Sequence, residues 1–188
     1  RYQRNLLNVD SAVELISANK DKIKAIVAIS TAQQTADLIK ELDERNIHPT
    51  IACVSFVGAE GLASSLNMRK VGLGAGTIVT QVVPDLSSLH LAAVSQYHKT
   101  LSQEHPNKKP DYVSLEGYLA TAVFVEALEK AGPNLNTRHL IETFQSMDNI
   151  DIGIDQKLSF GAEKPQAISK VRGSILDKNG KFVPLELE

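Results

Sequence analysis

The sequence predicts an α/β fold built around a parallel sheet. Three apolar runs rich in β-branched residues, at residues 23–29, 50–57 and 77–83, alternate with amphipathic segments. Continuous apolar strands between such helices indicate a parallel sheet covered on both faces. The 188 residues are 43% hydrophobic, which suits one domain or two small lobes with a buried core.

The elements follow in order. Residues 10–20 place Ala12, Val13, Leu15 and Ile16 at helical spacing, with Asp10 or Ser11 as the expected cap. Residues 33–45 form a second helix, ended by Asn46 and a turn at His48-Pro49. After the strand at 50–57, residues 59–66 read as a short helix. Gly72-Leu73-Gly74-Ala75-Gly76 then leads into the third strand. A dinucleotide-binding loop needs a strand before its glycines and a helix after them, so this segment is not one.

From residue 86 the pattern changes. A helix is expected at 86–104, a Pro-rich loop at 105–110, a long helix at 114–130 and another, capped by Thr137, to about residue 147. The long helix is apolar around most of its circumference, as in a mostly buried helix. A strand-like segment at 157–160 precedes strands at 170–176 and 181–185, joined by the hairpin turn Asp177-Lys178-Asn179-Gly180.

Several function classes lack support. Net charge is −2, and the basic residues are spread along the chain, so no nucleic-acid partner is expected. No apolar run approaches the ~18 residues needed to span a bilayer. The single cysteine, Cys53, lies in an apolar run and reads as a buried thiol. The five histidines, 48, 90, 98, 105 and 139, lack metal-ligand spacing, and there is no Gly-x-Ser-x-Gly elbow. No cofactor, metal or catalytic set is expected; an α/β oxidoreductase or hydrolase would need a cofactor loop or a triad.

Ligands of parallel α/β sheets bind outside the carboxyl ends of the strands. Two such ends are legible: Ser30-Thr31 after the first strand, and Val57-Gly58-Ala59-Glu60-Gly61 after the second. Each opens a helix whose first N–H groups are free to meet an anion. Glu60 reads either as an ordinary first-turn acid or as an acceptor for a ligand ammonium group. Gly58 and Gly61 allow close backbone approach. Ser30 and Thr31 read equally as helix caps or as hydroxyls holding a carboxylate.

The ordered segments Val54-Ser55-Phe56-Val57-Gly58-Ala59-Glu60-Gly61, Thr77-Ile78-Val79-Thr80-Gln81-Val82-Val83-Pro84, Tyr112-Val113-Ser114-Leu115-Glu116-Gly117-Tyr118 and Asp177-Lys178-Asn179-Gly180-Lys181-Phe182-Val183-Pro184 resemble type I periplasmic solute-binding proteins of the leucine/isoleucine/valine transporter family. The resemblance covers nearly the whole chain and corresponds to the C-terminal half of such proteins. It implies a Rossmann-like three-layer lobe with a parallel sheet, plus a partial second lobe. Residues 1–84 would form the C-terminal ligand-binding lobe, 85–150 a helical part returning to the N-terminal lobe, and 151–188 the closing strands and crossover. The family's N-terminal strands would precede this chain.

The resemblance further implies a binder rather than an enzyme, located in the periplasm, that passes an amino acid, amide or small carboxylate from an interlobe cleft to a membrane ABC permease. The signal peptide such a location requires is not in this sequence. A sensor module of a receptor or regulator is the alternative. The ligand-binding set it implies is Ser30, Thr31, Phe56, Gly58, Glu60 and Gly61, with Glu60 in the place of the acid that accepts an amino-acid ammonium. Thr31 departs from the aromatic residue the family often carries there.

Overall fold

The computed structural model describes residues 8–70 and 72–185. They divide into two compact units, one of residues 8–81 with 172–185, the other Val82–Val171. The first unit is an α/β lobe. Its elements are α1 (Asp10–Ala18), β1 (Ala25–Ala28), α2 (Ala32–Glu44), β2 (Thr50–Cys53), α3 (Ala59–Asn67), β3 (Ile78–Gln81), β4 (Arg172–Leu176) and β5 (Phe182–Leu185). The five strands lie in sequence order. The pairs β1–β2 and β2–β3 are parallel, while β3–β4 and β4–β5 are antiparallel.

The helices bury one stripe each. Val13 and Ile16 of α1 are buried, as are Ala36, Leu38, Ile39 and Leu42 of α2 and Leu62, Ala63 and Leu66 of α3. An Arg69–Asp37 ion pair ties the end of α3 to α2. The expected cap of α1 is not made by Asp10 or Ser11. Val9 stands at the cap position, and the Asn8 side chain instead accepts the Asp10 N–H at 2.7 Å.

The first strand departs from expectation. It is shorter than residues 23–29, and it is not covered on both faces: Val27 is 72% exposed and Ile29 66%. The crossovers β1–α2–β2 and β2–α3–β3 run in the same direction along the sheet, so both helices lie on one face and the other is left open at Val27. The apolar run at 50–57 also breaks early. After Cys53 the chain turns through a 3₁₀ segment, Ser55–Val57, before α3.

The second unit is helical, with α4 (Ala92–Glu104), α5 (Tyr112–Ala131) and α6 (Thr137–Ser146). Helix α4 starts six residues later than expected. Asp85 takes the N–H of Ser87 at 2.8 Å, and its carbonyl takes that of Ser88 at 3.0 Å, so the segment before α4 turns instead of coiling. Asp111 caps α5 by accepting the Ser114 N–H. Asn136, not Thr137, caps α6, accepting the His139 N–H at 3.0 Å. Tyr97 of α4 joins α5: its hydroxyl lies 2.6 Å from Ser114 Oγ, and its ring 5.7 Å from that of Tyr118. Phe124 and Phe144 stack at 6.4 Å between α5 and α6. The strand expected at 157–160 is only a bridge from Ile150 to Leu158.

Helix α5 is less buried than its composition suggests. Tyr112, Leu115, Leu119, Ala127 and Ala131 are buried, but Phe124 and Val125 are 45% and 46% exposed. No sheet forms in this unit among the described residues, so a helix rich enough in apolar residues to cover one keeps part of that surface open.

The turn from β4 to β5 carries the sharpest steric constraint. Gly180 has φ 73°, and a Cβ there would fall 1.9 Å from Asn67 Oδ1. Asn67 donates to the Gly180 carbonyl at 2.9 Å, so the same contact holds the hairpin to α3. Gly180→Ala is therefore expected to cost about 1–3 kcal/mol of stability, from the strained backbone and the displaced amide. Denaturant unfolding checks this. Combining it with Asn67→Ala should cost less than the sum of the two single changes, and simple additivity would contradict the steric account.

Candidate functional site

The parallel pairing decides what can meet. Ala28 of β1 is in register with Cys53 of β2, so the chain leaves both strands on the same edge of the sheet. Residues 29–31 follow one strand and 54–58 the other, and each stretch feeds a helix, α2 or α3. The two helix starts adjoin: a Cβ built on Gly61 would sit 3.7 Å from the Ala32 Cβ. The carboxyl edge thus gathers Ser30, Thr31, Phe56, Gly58, Glu60 and Gly61 on one side of the lobe.

Each of these side chains has a local reason for its place. Thr31 closes a capping box on α2: its Oγ1 accepts the Gln34 N–H at 3.4 Å, and Gln34 Oε1 accepts the Thr31 N–H at 3.3 Å. Ser30 Oγ lies 2.7 Å from Thr35 Oγ1, so this hydroxyl is oriented by a buried neighbour. Gly58 precedes α3 with φ 70° and ψ 98°, a positive-φ conformation that residues with a Cβ rarely adopt. With Gly58 at the cap, α3 has no side-chain cap, and its first N–H groups face outward from the helix start. Glu60 stands half-buried in that first turn, where the macrodipole favours its charge.

Apolar surface lies beside these polar groups. Phe56, on the 3₁₀ segment, is 72% exposed, and Ile29 is 66% exposed next to Ser30. Ile29 was hidden in the sequence because it closes an apolar run that reads as buried throughout. No Lys or Arg occurs at residues 29–32 or 54–61, so these two strand exits carry one carboxylate and no side-chain cation, while Arg172, opposite Gln81 where β4 begins, stands farther along the same edge. The two exits can present an acid to an ammonium group, helix N–H groups and hydroxyls to a carboxylate, and an aromatic face to an apolar moiety.

Other candidates are used structurally. His98 Nε2 lies 2.9 Å from the Leu86 carbonyl, His139 Nε2 lies 3.1 Å from that of Ala131, and His48 pairs with Asp43 at 3.7 Å. Among the described residues no group of three or more His, Cys, Asp or Glu side chains converges as a metal site. The glycines at 72–76 form turns that run into β3. Two cavities, of about 330 and 340 Å³, open at the opposite edge of the sheet, around His48 and Pro49.

A family model described as periplasmic binding protein matches residues 1–181. The chain belongs to the periplasmic binding protein family. Solved structures agree with this. A possible leucine/isoleucine/valine-binding protein from Rhodopirellula baltica superposes with a TM-score of 0.90 at 28% identity, covering 99% of this chain and 49% of that one. A fatty acid ABC transporter substrate-binding protein from Thermomonospora curvata gives 0.79 at 24% identity, covering 98% and 47%. A branched chain amino acid ABC transporter protein from Thermus thermophilus with bound valine gives 0.75 at 14% identity, covering 96% and 49%. The last two likenesses are of fold alone. This periplasmic binding protein chain spans about half the length of the structures it matches. Comparison with curated proteins gives no significant match. No helix among the described residues is long and apolar enough to cross a membrane.

Cys53 ends β2 just before the site and is 1% exposed. Burial pushes its thiol up to about 11, which leaves almost no thiolate at neutral pH. An aromatic disulfide reagent at about pH 8 is expected to label Cys53 slowly in the native protein and rapidly in denaturant, well below the thiol's native value. Rapid native labelling would show that the strand end opens.

Proposed function

We propose that this chain is part of the extracytoplasmic solute-binding protein of an ABC importer, and that the carboxyl edge of its first unit forms one wall of the ligand site. Ser30, Thr31, Phe56, Gly58, Glu60 and Gly61 are the contacts on this wall. The observation that carries the reading is the gathering of Glu60, the two hydroxyls and exposed Phe56 at the adjoining exits of β1 and β2, two stretches that hold no Lys or Arg. A ligand with an ammonium group fits these two exits better than a plain carboxylate does, because Glu60 is the one charged side chain in them. Its carboxylate, where it has one, is met by the Ala32 and Gln33 N–H groups that open α2 and by the Ser30 hydroxyl, with Thr31 holding the helix start through its capping box.

The ligand class is therefore an amino acid or its amide, with an apolar part lying against Phe56. Thr31, small and polar, leaves room beside the edge for a polar side chain. The partner is a membrane permease. The structural relatives named for leucine/isoleucine/valine, valine and fatty acid support a small organic solute.

A thermal-shift panel of amino acids, amides and small carboxylates identifies the ligand in the intact protein, since a ligand that binds only the folded state raises the melting temperature. Glu60→Gln should then weaken an ammonium-bearing ligand by about 1.5–3 kcal/mol, the worth of a charge-assisted hydrogen bond. Calorimetric titration reads this as a roughly ten- to hundred-fold loss of affinity. Unchanged affinity removes Glu60 from the site, and tighter binding of a carboxylate without an amine reverses the ligand class.

A further inference from the structure

Cations that are scattered in the sequence are gathered by the topology. Lys20, Lys22 and Lys24 precede β1, Arg45 precedes β2, Lys70 precedes β3, and Lys178 and Lys181 belong to the β4–β5 turn. Because β1, β2 and β3 are parallel, the first three stretches share the amino-terminal edge of the sheet. Because β4 runs antiparallel to β3, with Ile175 opposite Ile78, the β4–β5 turn reaches that edge too. Direct contacts link the stretches. The Thr50 N–H donates to the Lys24 carbonyl at 3.0 Å, and the Gly76 N–H to the Leu176 carbonyl at 2.9 Å. His48 and Pro49 line both cavities of this edge, one of which also takes in Lys20 and Lys24, the other Lys70.

All seven cations are exposed, and none forms an ion pair among the described residues. The acids nearby are few. Asp43 lies beside His48, Glu44 at the end of α2 pairs with Lys40, and Asp177 is engaged by the N–H groups of Asn179 and Lys181 and by the Lys181 charge, leaving Asp21 exposed. The chain as a whole is net −2, so this pole stands against a negative remainder. Helix dipoles account for part of the pattern, since Lys20, Arg45 and Lys70 follow the C-terminal ends of α1, α2 and α3. They do not account for Lys22, Lys24, Lys178 or Lys181.

We infer that this amino-terminal pole of the first unit docks on an anionic phospholipid surface. The seven cations lie on four separate stretches of chain, and six of them are lysines, which act as mobile point charges rather than as a fork shaped for one carboxylate. Such an array suits an extended charged plane. Met68, 78% exposed beside Lys70, adds an apolar contact. The four stretches, residues 19–24, 45–49, 68–70 with 72–77, and 177–181, contain no Phe, Tyr or Trp on which bases could stack, which argues against a single-stranded nucleic acid. The inference is independent of the ligand reading, because the pole is the edge of the sheet opposite Glu60.

The test is flotation of the 188-residue protein with phosphatidylcholine vesicles, with and without phosphatidylglycerol, at low salt and at about 0.5 M salt, where the Debye length falls to a few Å. Binding is expected only with phosphatidylglycerol and only at low salt. It should fall at least about tenfold when Lys20, Lys22, Lys24 and Lys178 are changed to Glu, and also when they are changed to Gln, which keeps the side chains close in length. The same four-fold change to Glu at Lys108, Lys109, Lys157 and Lys164, exposed lysines of the second unit, should leave most of the binding intact. Binding to phosphatidylcholine alone, equal loss in the two Glu sets, or no binding at all overturns the inference. Competition by soluble polyglutamate as effective as that by vesicles would instead assign the pole to an acidic protein.

Discussion

Parallel pairing of Ala25–Ala28 with Thr50–Cys53, and of β2 with β3, fixes which loops of the first unit share an edge. One edge receives the strand exits, with the starts of α2 and α3 and their outward N–H groups. The other receives the helix ends and the cations that complement them. This constraint places a carboxylate, hydroxyls and aromatic surface at the exits of β1 and β2 and most of the lysines at the opposite edge. An antiparallel β1–β2 pair would have mixed them.

The antiparallel half of the sheet depends on residues far apart in sequence. Gln81, 3% exposed, donates to Ser174 Oγ at 3.1 Å, and Ser174 Oγ donates to the Val79 carbonyl at 3.0 Å. This buried relay fastens β4 beside β3 where the chain leaves the first unit and where it returns. Buried polar groups of this kind are costly unless satisfied, so the relay specifies one pairing over others. With β4 in place, the turn Asp177–Gly180 is carried to Asn67, and the lobe is closed around its helices.

Much of this was legible in the sequence. β-Branched runs marked three strands, apolar spacing marked α2 and α3, and Asp177-Lys178-Asn179-Gly180 marked the hairpin, because each signal is local. The exposure of Val27 and Ile29 was not, since burial of an apolar strand depends on which face the crossover helices cover. The late start of α4 was hidden by a competing side-chain turn at Asp85, and the open face of α5 by a composition that resembles a buried helix. At the site, Ser30, Thr31 and Glu60 were legible as residues after strands, whereas the closeness of Gly61 to Ala32 depends on how two helices pack. The basic pole was invisible for the same reason: its lysines are near each other only through the strand order.

The central claim is that the solute meets the carboxyl edge of the first unit. Hydrogen exchange of the intact protein, with and without the ligand that gives the largest thermal shift, tests it directly. Slowed exchange is expected at residues 29–34 and 55–62, where N–H groups of α2, α3 and the 3₁₀ segment face the ligand. Protection confined to residues 45–49 and 72–77, at the opposite edge, would contradict the account and move the site to the cavities around His48.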